Sequence, residues 1–250
     1  MPTPFGLYGL YYDLLYQDKN YSSEAAYVGA LLKAHGISGS KLLEFGSGTG
    51  KHAQSLARLG FEVTGIERSP SMISMSRQNG HHQIIEGDVR QCRVRGLFDG
   101  VISLFHVMSY QTEEDDITAV FQNASGHLEP RGLFLFDFWH TQAVKAQKPE
   151  SRLKTMRSEE IEIIRRATPR TRNERNIVEI HYAIEIQDLK TRKRYSFEED
   201  HIMRHFSVEE LDGYAAKVGM TRILSQEFCS GRPPGQETWS VCSLYRKEKK

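Results

Sequence analysis

The run from Glu44 to Gly50, EFGSGTG, is an acidic residue followed by three glycines at alternate positions. Apolar residues precede this run and a helical pattern follows it, so it predicts a strand that turns directly into a helix. Glycines at such a turn let a ligand lie against bare backbone, and the helix N-terminus adds unpaired N–H groups and the positive end of its dipole. The run therefore predicts a site for a nucleotide-like cofactor and leaves open which one.

Helical and strand patterns alternate around this turn, from residue 22 to residue 140. Apolar runs bounded by glycine or proline indicate strands, and apolar residues at helical spacing, such as Ile117, Val120 and Phe121, indicate helices. The repeated β-α pattern predicts an α/β fold with a doubly wound, seven-stranded, mostly parallel sheet of Rossmann-like topology. The predicted strands are 42–45, 61–66, 83–86, 98–105, 133–137, 222–228 and 238–245, and the predicted helices are 22–35, 50–60, 70–80, 112–128 and 207–219.

Residues 141–205 have a different character, because they are rich in charge and alternate polar with apolar side chains. The alternation is clearest from Val178 to Ile186 and is typical of strands with one buried face. We predict an antiparallel sheet inserted as a cap for substrate. The predicted division is an N-terminal segment and helix covering the cofactor (1–40), a cofactor-binding core (41–140), the cap (141–205) and the C-terminal part of the core (206–250).

The composition is that of an ordinary globular protein. The chain has 250 residues, a net charge of +1 and 39% apolar residues, which suits one large α/β domain with an insertion. The even charge balance argues against nucleic acid or a membrane as a partner. The three cysteines lack metal spacing, and no signal peptide or membrane-spanning stretch is visible. We therefore expect a cytoplasmic protein with reduced thiols and no metal.

Cofactors of different classes bind at glycine turns of this kind. A nicotinamide or flavin site requires G-x-G-x-x-G, with an acid about twenty residues further on. In this chain the third glycine of that pattern would fall on Lys51, and Glu44 would have no role. The spacing disfavours a nicotinamide-dependent oxidoreductase, which stays an alternative, as does a non-catalytic adenosyl-binding module.

Four motifs in order favour S-adenosylmethionine. The run EFGSGTG is followed by Glu67 in VTGIER at the end of the second strand, by Asp88 in EGDV after the third, and by SLFHVMSY (103–110) at the fourth. With these motifs the chain resembles the class I S-adenosylmethionine-dependent methyltransferases. The resemblance implies their fold and methyl transfer from S-adenosylmethionine, with S-adenosylhomocysteine as the product.

The resemblance also implies a role for each matching residue. The amides of the Gly46 to Gly50 turn would receive the cofactor carboxylate, and Glu67 would accept both ribose hydroxyls. Asp88 would accept from the adenine amine, while Met72 and Phe105 would enclose the adenine or line the methyl channel. The implied cofactor-binding residues are Tyr12, Lys19, Tyr21, Glu44, Gly46, Ser47, Gly48, Gly50, Glu67, Arg68, Met72, Asp88, Val89, Leu104 and Phe105.

Outside the core, the chain resembles a narrower group of these methyltransferases. The segments YYDLLYQDKNYSSEAAYV (11–28) and SFEEDHIMRHF (196–206) resemble the N-methyltransferases that act on nucleotide-linked aminosugars. The chain departs from those enzymes at Tyr110, where they carry histidine, and at Asp137 to His140 (DFWH), where they carry Glu-Pro-Trp-Trp. Another sugar, an oxygen nucleophile or a different small molecule therefore stays open as the acceptor.

Methyl transfer from a sulfonium is an in-line displacement that needs neither a covalent intermediate nor a metal. Alignment of acceptor, methyl and sulfur can supply much of the rate. An ammonium has no lone pair, so an amine acceptor must first lose a proton to a nearby base. We predict His201, Tyr110 and His140 as candidate bases, and Tyr12, Tyr110, Trp139, His140 and His201 as substrate-binding residues.

Two further features concern partners. An exposed edge of the cap sheet could pair two chains into a homodimer. A run of arginines either forms the solvated edge of a hairpin or clamps the diphosphate of a sugar nucleotide, because arginine forks suit phosphate. These arginines are Arg165, Arg166, Arg170, Arg172 and Arg175.

Overall fold

The computed structural model describes residues 7–81, 83–172 and 175–248, so the first six residues of the predicted N-terminal segment lie outside the described part. The helices are α1 (Leu7–Leu15), α2 (Tyr21–Ala34), α3 (Lys51–Ala57), α4 (Pro70–Gln78), α5 (Glu114–His127), α6 (Thr141–Ala146) and α7 (Val208–Lys217). The strands are β1 (Lys41–Phe45), β2 (Glu62–Glu67), β3 (Ile84–Glu86), β4 (Phe98–Ser103), β5 (Leu128–Trp139), β6 (Arg152–Arg157), β7 (Ile161–Arg172), β8 (Ile177–Asp188), β9 (Arg194–Arg204), β10 (Met220–Glu227) and β11 (Ser240–Lys247).

Seven strands form the central sheet in the order β10-β11-β5-β4-β1-β2-β3. The five strands from β5 to β3 pair in parallel, and only β11 runs antiparallel to its neighbours within this sheet. This topology confirms the predicted seven-stranded, mostly parallel sheet. Because the strand order reverses between β1 and β4, a crevice opens at the carboxyl ends of these strands.

Helices cover both faces of the central sheet. Alternate residues of β5 point to opposite faces, so Phe134 and Phe136 pack with Phe121 of α5, whereas Leu133 and Leu135 pack toward α2 and α3. All five side chains are fully buried. Each contributes roughly 1.5–3 kcal/mol of transfer free energy, which is why this strand is a continuous apolar run.

A second sheet of four antiparallel strands, β6-β7-β8-β9, follows β5 in the sequence. We call it the cap sheet. Its register places Tyr182 opposite Glu199 and Ile180 opposite His201. One face packs on α1 through Leu15, Met156 and neighbouring residues. The inserted antiparallel sheet is thus confirmed, while the short helix α6 ahead of it was not predicted.

Two helix starts differ from the prediction. α2 begins at Tyr21 because Asn20 is its N-cap, and the Asn20 side chain accepts a hydrogen bond from the Ser23 amide at 2.9 Å. Thr112 does not cap α5. Glu113 occupies the N-cap position there, without a side-chain capping bond. Three acidic residues in the first turn of α5 favour its N-terminus through the helix dipole instead.

The start of β5 is also earlier than predicted. Leu128 already pairs with Phe98, ahead of a register shift in the β4–β5 ladder. Within this irregular stretch Arg131 adopts a φ of 67°. The stretch between the predicted helix 112–128 and the predicted strand 133–137 is therefore a bulge inside β5. Within the described part of the chain, no helix is long and apolar enough to cross a membrane.

Candidate functional site

A cavity of about 410 Å³ lies at the carboxyl ends of β1, β2, β4 and β5, between the central sheet and the cap sheet. This is the position at which doubly wound sheets bind ligands. The lining residues are Tyr12, Tyr16, Gly46, Gly48, Ile66, Glu67, Arg68, Met72, Gly87, Asp88, Val89, Arg90, Leu104, Phe105, His106, Val107, Tyr110, Gln111, Trp139, Arg152, Tyr182, His201 and Met203.

The glycine turn between β1 and α3 requires its glycines for two reasons. Gly46, Gly48 and Gly50 have φ values of 68°, 54° and 75°, in the left-handed region that side chains disfavour. A Cβ on Gly46 would also lie 2.5 Å from a methyl carbon of Val107, and one on Gly50 would lie 2.6 Å from the Ser76 hydroxyl. The turn therefore keeps the backbone close against the cavity.

The amides of this turn are largely engaged within the protein. Gly46 and Ser47 both donate to the carbonyl of Ile66, at 2.8 and 3.1 Å, and Gly50 donates to the carbonyl of Ser47 at 3.0 Å. The Gly48 amide donates to Glu67. This arrangement does not support the expectation that these amides receive the cofactor carboxylate. It ties the turn to the end of β2 instead.

Glu67 sits where β2 ends and its carboxylate faces the cavity. One oxygen accepts from the Gly48 amide at 3.0 Å, and the other accepts from the amides of Arg68 and Ser69 at 2.9 Å each. Burial raises the pKa of Glu67, although these three amide bonds favour the charged form. Glu67 is thus an oriented acceptor beside the glycine turn.

Asp88 follows β3 and is held by Arg90. The guanidinium of Arg90 donates to both Asp88 oxygens, at 2.8 and 2.6 Å, and its third nitrogen donates to Asp116 at 2.7 Å. The hydrogen bonds from Arg90 lower the pKa of Asp88 against the effect of burial. Asp88 therefore stays ionised and fixed at the cavity, next to Val89.

α1 is fastened to the glycine turn by one side chain. Asp13 accepts a hydrogen bond from Thr49 at 2.6 Å and one from Asn79 at 2.9 Å, and its carboxylate lies 3.3 Å from the Lys51 ammonium. Tyr12, next to Asp13 on α1, and Tyr16, directly after α1, lie at the cavity, where both rings contact Phe105 at centroid distances of 6.3 and 5.0 Å. The N-terminal segment thus lies over the turn.

Several predicted cofactor residues lie behind the turn and do not line the cavity. Glu24 joins Lys19 to His52, whose Nε2 is 2.7 Å from the Glu24 carboxylate. His52 Nδ1 is 3.9 Å from Glu44. The hydroxyl of Tyr21 and one oxygen of Glu44 are buried without a hydrogen-bond partner among the described residues. Glu44 and Tyr21 therefore do not reach the cavity and could act on a cofactor only indirectly.

The remaining predicted cofactor residues also divide into some that lie away from the cavity and some that line it. Ser47 is buried, with its hydroxyl unpartnered within the described chain, and Gly50 is the N-cap of α3. Lys19 approaches the cavity only through the ring of Phe105, with its ammonium 4.0 Å from the ring centroid. The other predicted cofactor residues are among those that line the cavity.

The loop after β4 carries two strained residues. Phe105 and His106 both have a φ of 63°, a conformation that costs non-glycine residues of the order of 1–3 kcal/mol each. Asp137 on β5 holds this loop, because it accepts from the His106 amide at 3.0 Å and lies 2.8 Å from His106 Nδ1. Burial opposes ionisation of Asp137, but the His106 ring lowers its pKa overall.

The far end of the cavity brings together two of the three predicted bases. The Tyr110 hydroxyl lies 2.7 Å from His201 Nδ1, and His201 Nε2 lies 3.4 Å from a Glu199 oxygen. Trp139 closes one wall, 6.1 Å from the His106 ring between centroids. Burial raises the pKa of Tyr110 well above its ordinary value, so its phenol stays protonated.

His140 is separated from the other candidates. Its backbone is extended, and neighbouring residues of an extended segment point to opposite sides, so only Trp139 reaches the cavity. The His140 ring is 3% exposed and burial lowers its pKa. Its amide donates to the carbonyl of Trp239 at 3.0 Å. The structure therefore does not support His140 as a base or a substrate-binding residue.

The arginine run is distributed over both faces of the cap sheet. Arg165 faces inward, donates to the Tyr16 hydroxyl at 3.1 Å and lies over the ring of Tyr182. Arg172 and Arg175 form surface ion pairs with Glu179 and Glu113. Because strand residues alternate, Arg166 and Arg170 are exposed on the outer face. Only Arg165 of this run adjoins the cavity.

Sequence reasoning missed several cavity residues. Arg90, Arg152 and Tyr182 line the cavity without belonging to a quoted motif, and Tyr16 lines it from within the quoted segment 11–28 without having been assigned a role. Glu199 lies behind His201. Sequence reasoning could have found it, because residues two positions apart on a strand point to the same face. Tyr16 could also have been found from helical spacing, since it follows Tyr12 by one turn.

The comparisons with known proteins agree with this geometry. Residues 42–132 match the family described as a methyltransferase domain. A dTDP-3-amino-3,6-dideoxy-alpha-D-glucopyranose N,N-dimethyltransferase from Streptomyces fradiae is 26% identical over 234 residues, covering 90% of this chain and 86% of that protein. A dTDP-3-amino-3,4,6-trideoxy-alpha-D-glucopyranose N,N-dimethyltransferase from Streptomyces venezuelae is 28% identical over 51% of this chain, and the match spans 55% of that relative.

Solved structures resemble the whole fold. The sugar N-methyltransferase KedS8 from a Streptoalloteichus species superposes with a TM-score of 0.80 at 16% identity, over 95% of this chain and 93% of that one. CalS10, an amino pentose methyltransferase from Micromonospora echinaspora solved with bound S-adenosylmethionine, has a TM-score of 0.76 at 21% identity, with 99% of both chains covered. At these identities the structural likeness concerns the fold.

Proposed function

We propose that this chain is an S-adenosylmethionine-dependent methyltransferase that transfers a methyl group to the amine of a nucleotide-linked aminosugar. The observation that carries the proposal is the division of one cavity into two ends. Oriented acidic acceptors lie at the end formed by β2 and β3, and an aromatic enclosure with a hydrogen-bonded Tyr110–His201 pair lies at the end formed by β5 and the cap sheet.

The acidic end suits the adenosine part of the cofactor. Glu67 is an oriented carboxylate of the kind that accepts from ribose hydroxyls, and Asp88 is fixed where it can accept from an exocyclic amine. Met72 supplies a buried apolar part of the cavity wall. When bound, S-adenosylmethionine would supply an activated methyl group on a sulfonium.

The aromatic end suits a cationic or sugar-like acceptor. Tyr16, Phe105 and Trp139 line it, and ring faces attract cations within about 6 Å. Such rings would accommodate both the sulfonium and the ammonium formed on the acceptor. The enclosure also excludes water, which strengthens electrostatic interactions in the site. An amine is therefore the acceptor favoured here over an oxygen nucleophile.

Cations at the cavity support a phosphate-bearing acceptor. Arg68 and Arg152 line the cavity, and Arg165 and Lys154 lie over the ring of Tyr16 beside it. Guanidinium forks bind phosphate oxygens with two parallel hydrogen bonds. This cluster replaces the arginine run of the outer cap face as the proposed diphosphate contact.

Methyl transfer itself tests the proposal. The chain would be incubated with methyl-labelled S-adenosylmethionine and a panel of dTDP-linked 3-amino and 4-amino sugars, with the corresponding dTDP-hydroxy sugars and the free aminosugars as comparisons. We expect label on the dTDP-aminosugars. Label confined to hydroxy sugars would contradict the amine, equal transfer to free aminosugars would contradict the diphosphate contact, and no transfer to any sugar would overturn the substrate class.

Substitution of Arg152 tests the diphosphate contact independently of folding. Arg152→Ala is expected to raise KM for a dTDP-aminosugar about tenfold or more, because a lost charged hydrogen bond costs roughly 1.5–3 kcal/mol. It should leave kcat within about twofold. Arg157→Ala, an exposed residue of the same strand, is the matched control and is expected to behave as the wild type. Equal effects of both variants would contradict the contact.

A further inference from the structure

We propose that Tyr110, His201 and Glu199 form a relay that removes the proton from the acceptor amine, an inference that rests on the proposed function. The three side chains come from the loop after β4 and from β9, and they follow one another from the cavity into the protein. Tyr110 and His201 line the cavity, whereas Glu199 lies behind them.

The geometry fixes the order of the relay. Tyr110 Oη is 2.7 Å from His201 Nδ1, and the opposite ring nitrogen, Nε2, is 3.4 Å from Glu199 Oε2. His201 is 2% exposed and Glu199 is 7% exposed. The Tyr182 ring stands edge-on to the imidazole at a centroid distance of 4.8 Å and fixes its plane. The phenol is therefore the outermost group of a buried, aligned chain.

The relay requires one set of proton positions. Burial raises the pKa of the Tyr110 phenol well above its ordinary value, and in the relay this phenol donates to His201 Nδ1. Nδ1 then has no proton, and the neutral imidazole carries its proton on Nε2, directed at Glu199. A histidine held in this tautomer by a carboxylate has the proton-accepting nitrogen directed at the phenol. The same logic applies to other oriented bases, in which a third group holds the imidazole.

The proposed step conserves protons, charge and electrons. The acceptor ammonium gives a proton to Tyr110 Oη while the phenol proton moves to His201 Nδ1, and the imidazolium formed is stabilised by Glu199. The freed nitrogen lone pair forms the N–C bond, and the electrons of the S–C bond stay on sulfur, which leaves S-adenosylhomocysteine. Return of the proton along the same path to water at the cavity resets the relay after product release.

Charged and titratable groups from several elements surround the phenol. They include Tyr16 directly after α1, Arg68 after β2, Tyr182 of β8 and Glu199 of β9. Two of them are phenols and one is a cation, so Glu199 is the carboxylate of this set. It acts through His201 and is a positioning residue in this scheme.

The pH dependence of methyl transfer tests the relay. Single-turnover rates on a dTDP-aminosugar would be measured from pH 6.5 to 9.5 for Tyr110→Phe, His201→Gln and Glu199→Gln. Near pH 7 we expect His201→Gln to be slower by about 100-fold, within the range for acid–base catalysis, and Glu199→Gln by about tenfold. The loss should shrink toward pH 9.5, because a free amine needs no proton acceptor.

Exposed residues of the cap sheet provide matched controls. His181→Gln, Glu198→Gln and Tyr195→Phe make the same chemical changes on residues with 44%, 69% and 54% exposure, and they are expected to match the wild type at every pH. A loss that is equal at all pH values for the Tyr110, His201 and Glu199 variants would show a purely structural role and overturn the relay.

A second measurement requires no acceptor. Nitrogen-15 NMR of the histidine rings, in the complex with S-adenosylhomocysteine, should show His201 as the neutral tautomer protonated on Nε2. An Nδ1-protonated His201 would overturn the relay whatever the substrate. If the wild type methylates no sugar of the panel, the proposed function fails on its own, and this spectrum still tests the tautomer that the relay requires.

Discussion

Glu44 carries a buried carboxyl group. It lies at the end of β1 and is 1% exposed, and burial raises its pKa to about 8, with the neighbouring Glu67 carboxylate acting in the same direction. A ring nitrogen of His52 lies 3.9 Å from one Glu44 oxygen. Glu44 is therefore neutral in the folded protein at neutral pH, whereas it is ionised in the unfolded chain.

The stability of the protein should depend on pH because Glu44 is protonated in the folded state and ionised in the unfolded state. Between the unfolded pKa near 4.5 and the folded pKa near 8 the folded state holds one more proton, so the free energy of unfolding falls as the pH rises through this range. We expect Glu44→Gln to remove this decline. Unfolding midpoints in urea from pH 4.5 to 9 would measure it, with the exposed Glu86→Gln as the control. A decline of the same slope in Glu44→Gln would contradict the assignment.

Among the helices and strands, the sequence alone predicted the ones that carry local signals. The start of α4 is correct because Ser69 caps it and Pro70 occupies its first turn. β5 was found because its central residues are continuously apolar. α1 has no such signal, and its position depends on Asp13 and on packing against the cap sheet. A short helix of this kind is held by tertiary contacts.

The docking of α1 gives a prediction for Asp13. Asp13→Asn weakens the hydrogen bonds to Thr49 and Asn79 and removes the charge facing Lys51. We expect S-adenosylhomocysteine to bind about three- to tenfold more weakly, since charged hydrogen bonds are worth roughly 1.5–3 kcal/mol and part of this is recovered by the amide. Trypsin should also cleave near Lys19 faster.

Asp18→Asn is the matched control for this variant. Asp18 follows α1, its side chain is 71% exposed, and it lies 3.7 Å from Lys154. We expect wild-type affinity and wild-type cleavage from it. If Asp13→Asn and Asp18→Asn bind equally well, α1 does not depend on the glycine-turn contact.

For the molecule as a whole, the two ends of the cavity differed in how far they could be predicted. The cofactor end is built from motifs that lie at the ends of successive parallel strands, so their order in the sequence predicts that they meet. The acceptor end joins Tyr110 to His201, which is 91 positions away on another sheet. No local pattern encodes that contact, and it depends on how the cap sheet sits over the central sheet.

Local geometry likewise explains why His140 does not line the cavity. Sequence position placed it after β5 together with Trp139, but the alternation of an extended chain turns the two side chains apart. The amides of the glycine turn are a second case, because only the folded structure shows that Ile66 and Glu67 already accept from them.

The central claim is that this cavity binds an adenosylated methyl donor through Glu67. Isothermal titration of the wild type, Glu67→Gln and Glu62→Gln with S-adenosylhomocysteine and with NAD⁺ tests it most directly, because Glu62 is an exposed residue at the other end of the same strand. We expect the wild type and Glu62→Gln to bind S-adenosylhomocysteine equally, Glu67→Gln to bind about 10- to 100-fold more weakly, and NAD⁺ to give no binding heat. Binding of NAD⁺ in place of S-adenosylhomocysteine, or undiminished binding by Glu67→Gln, would contradict the claim.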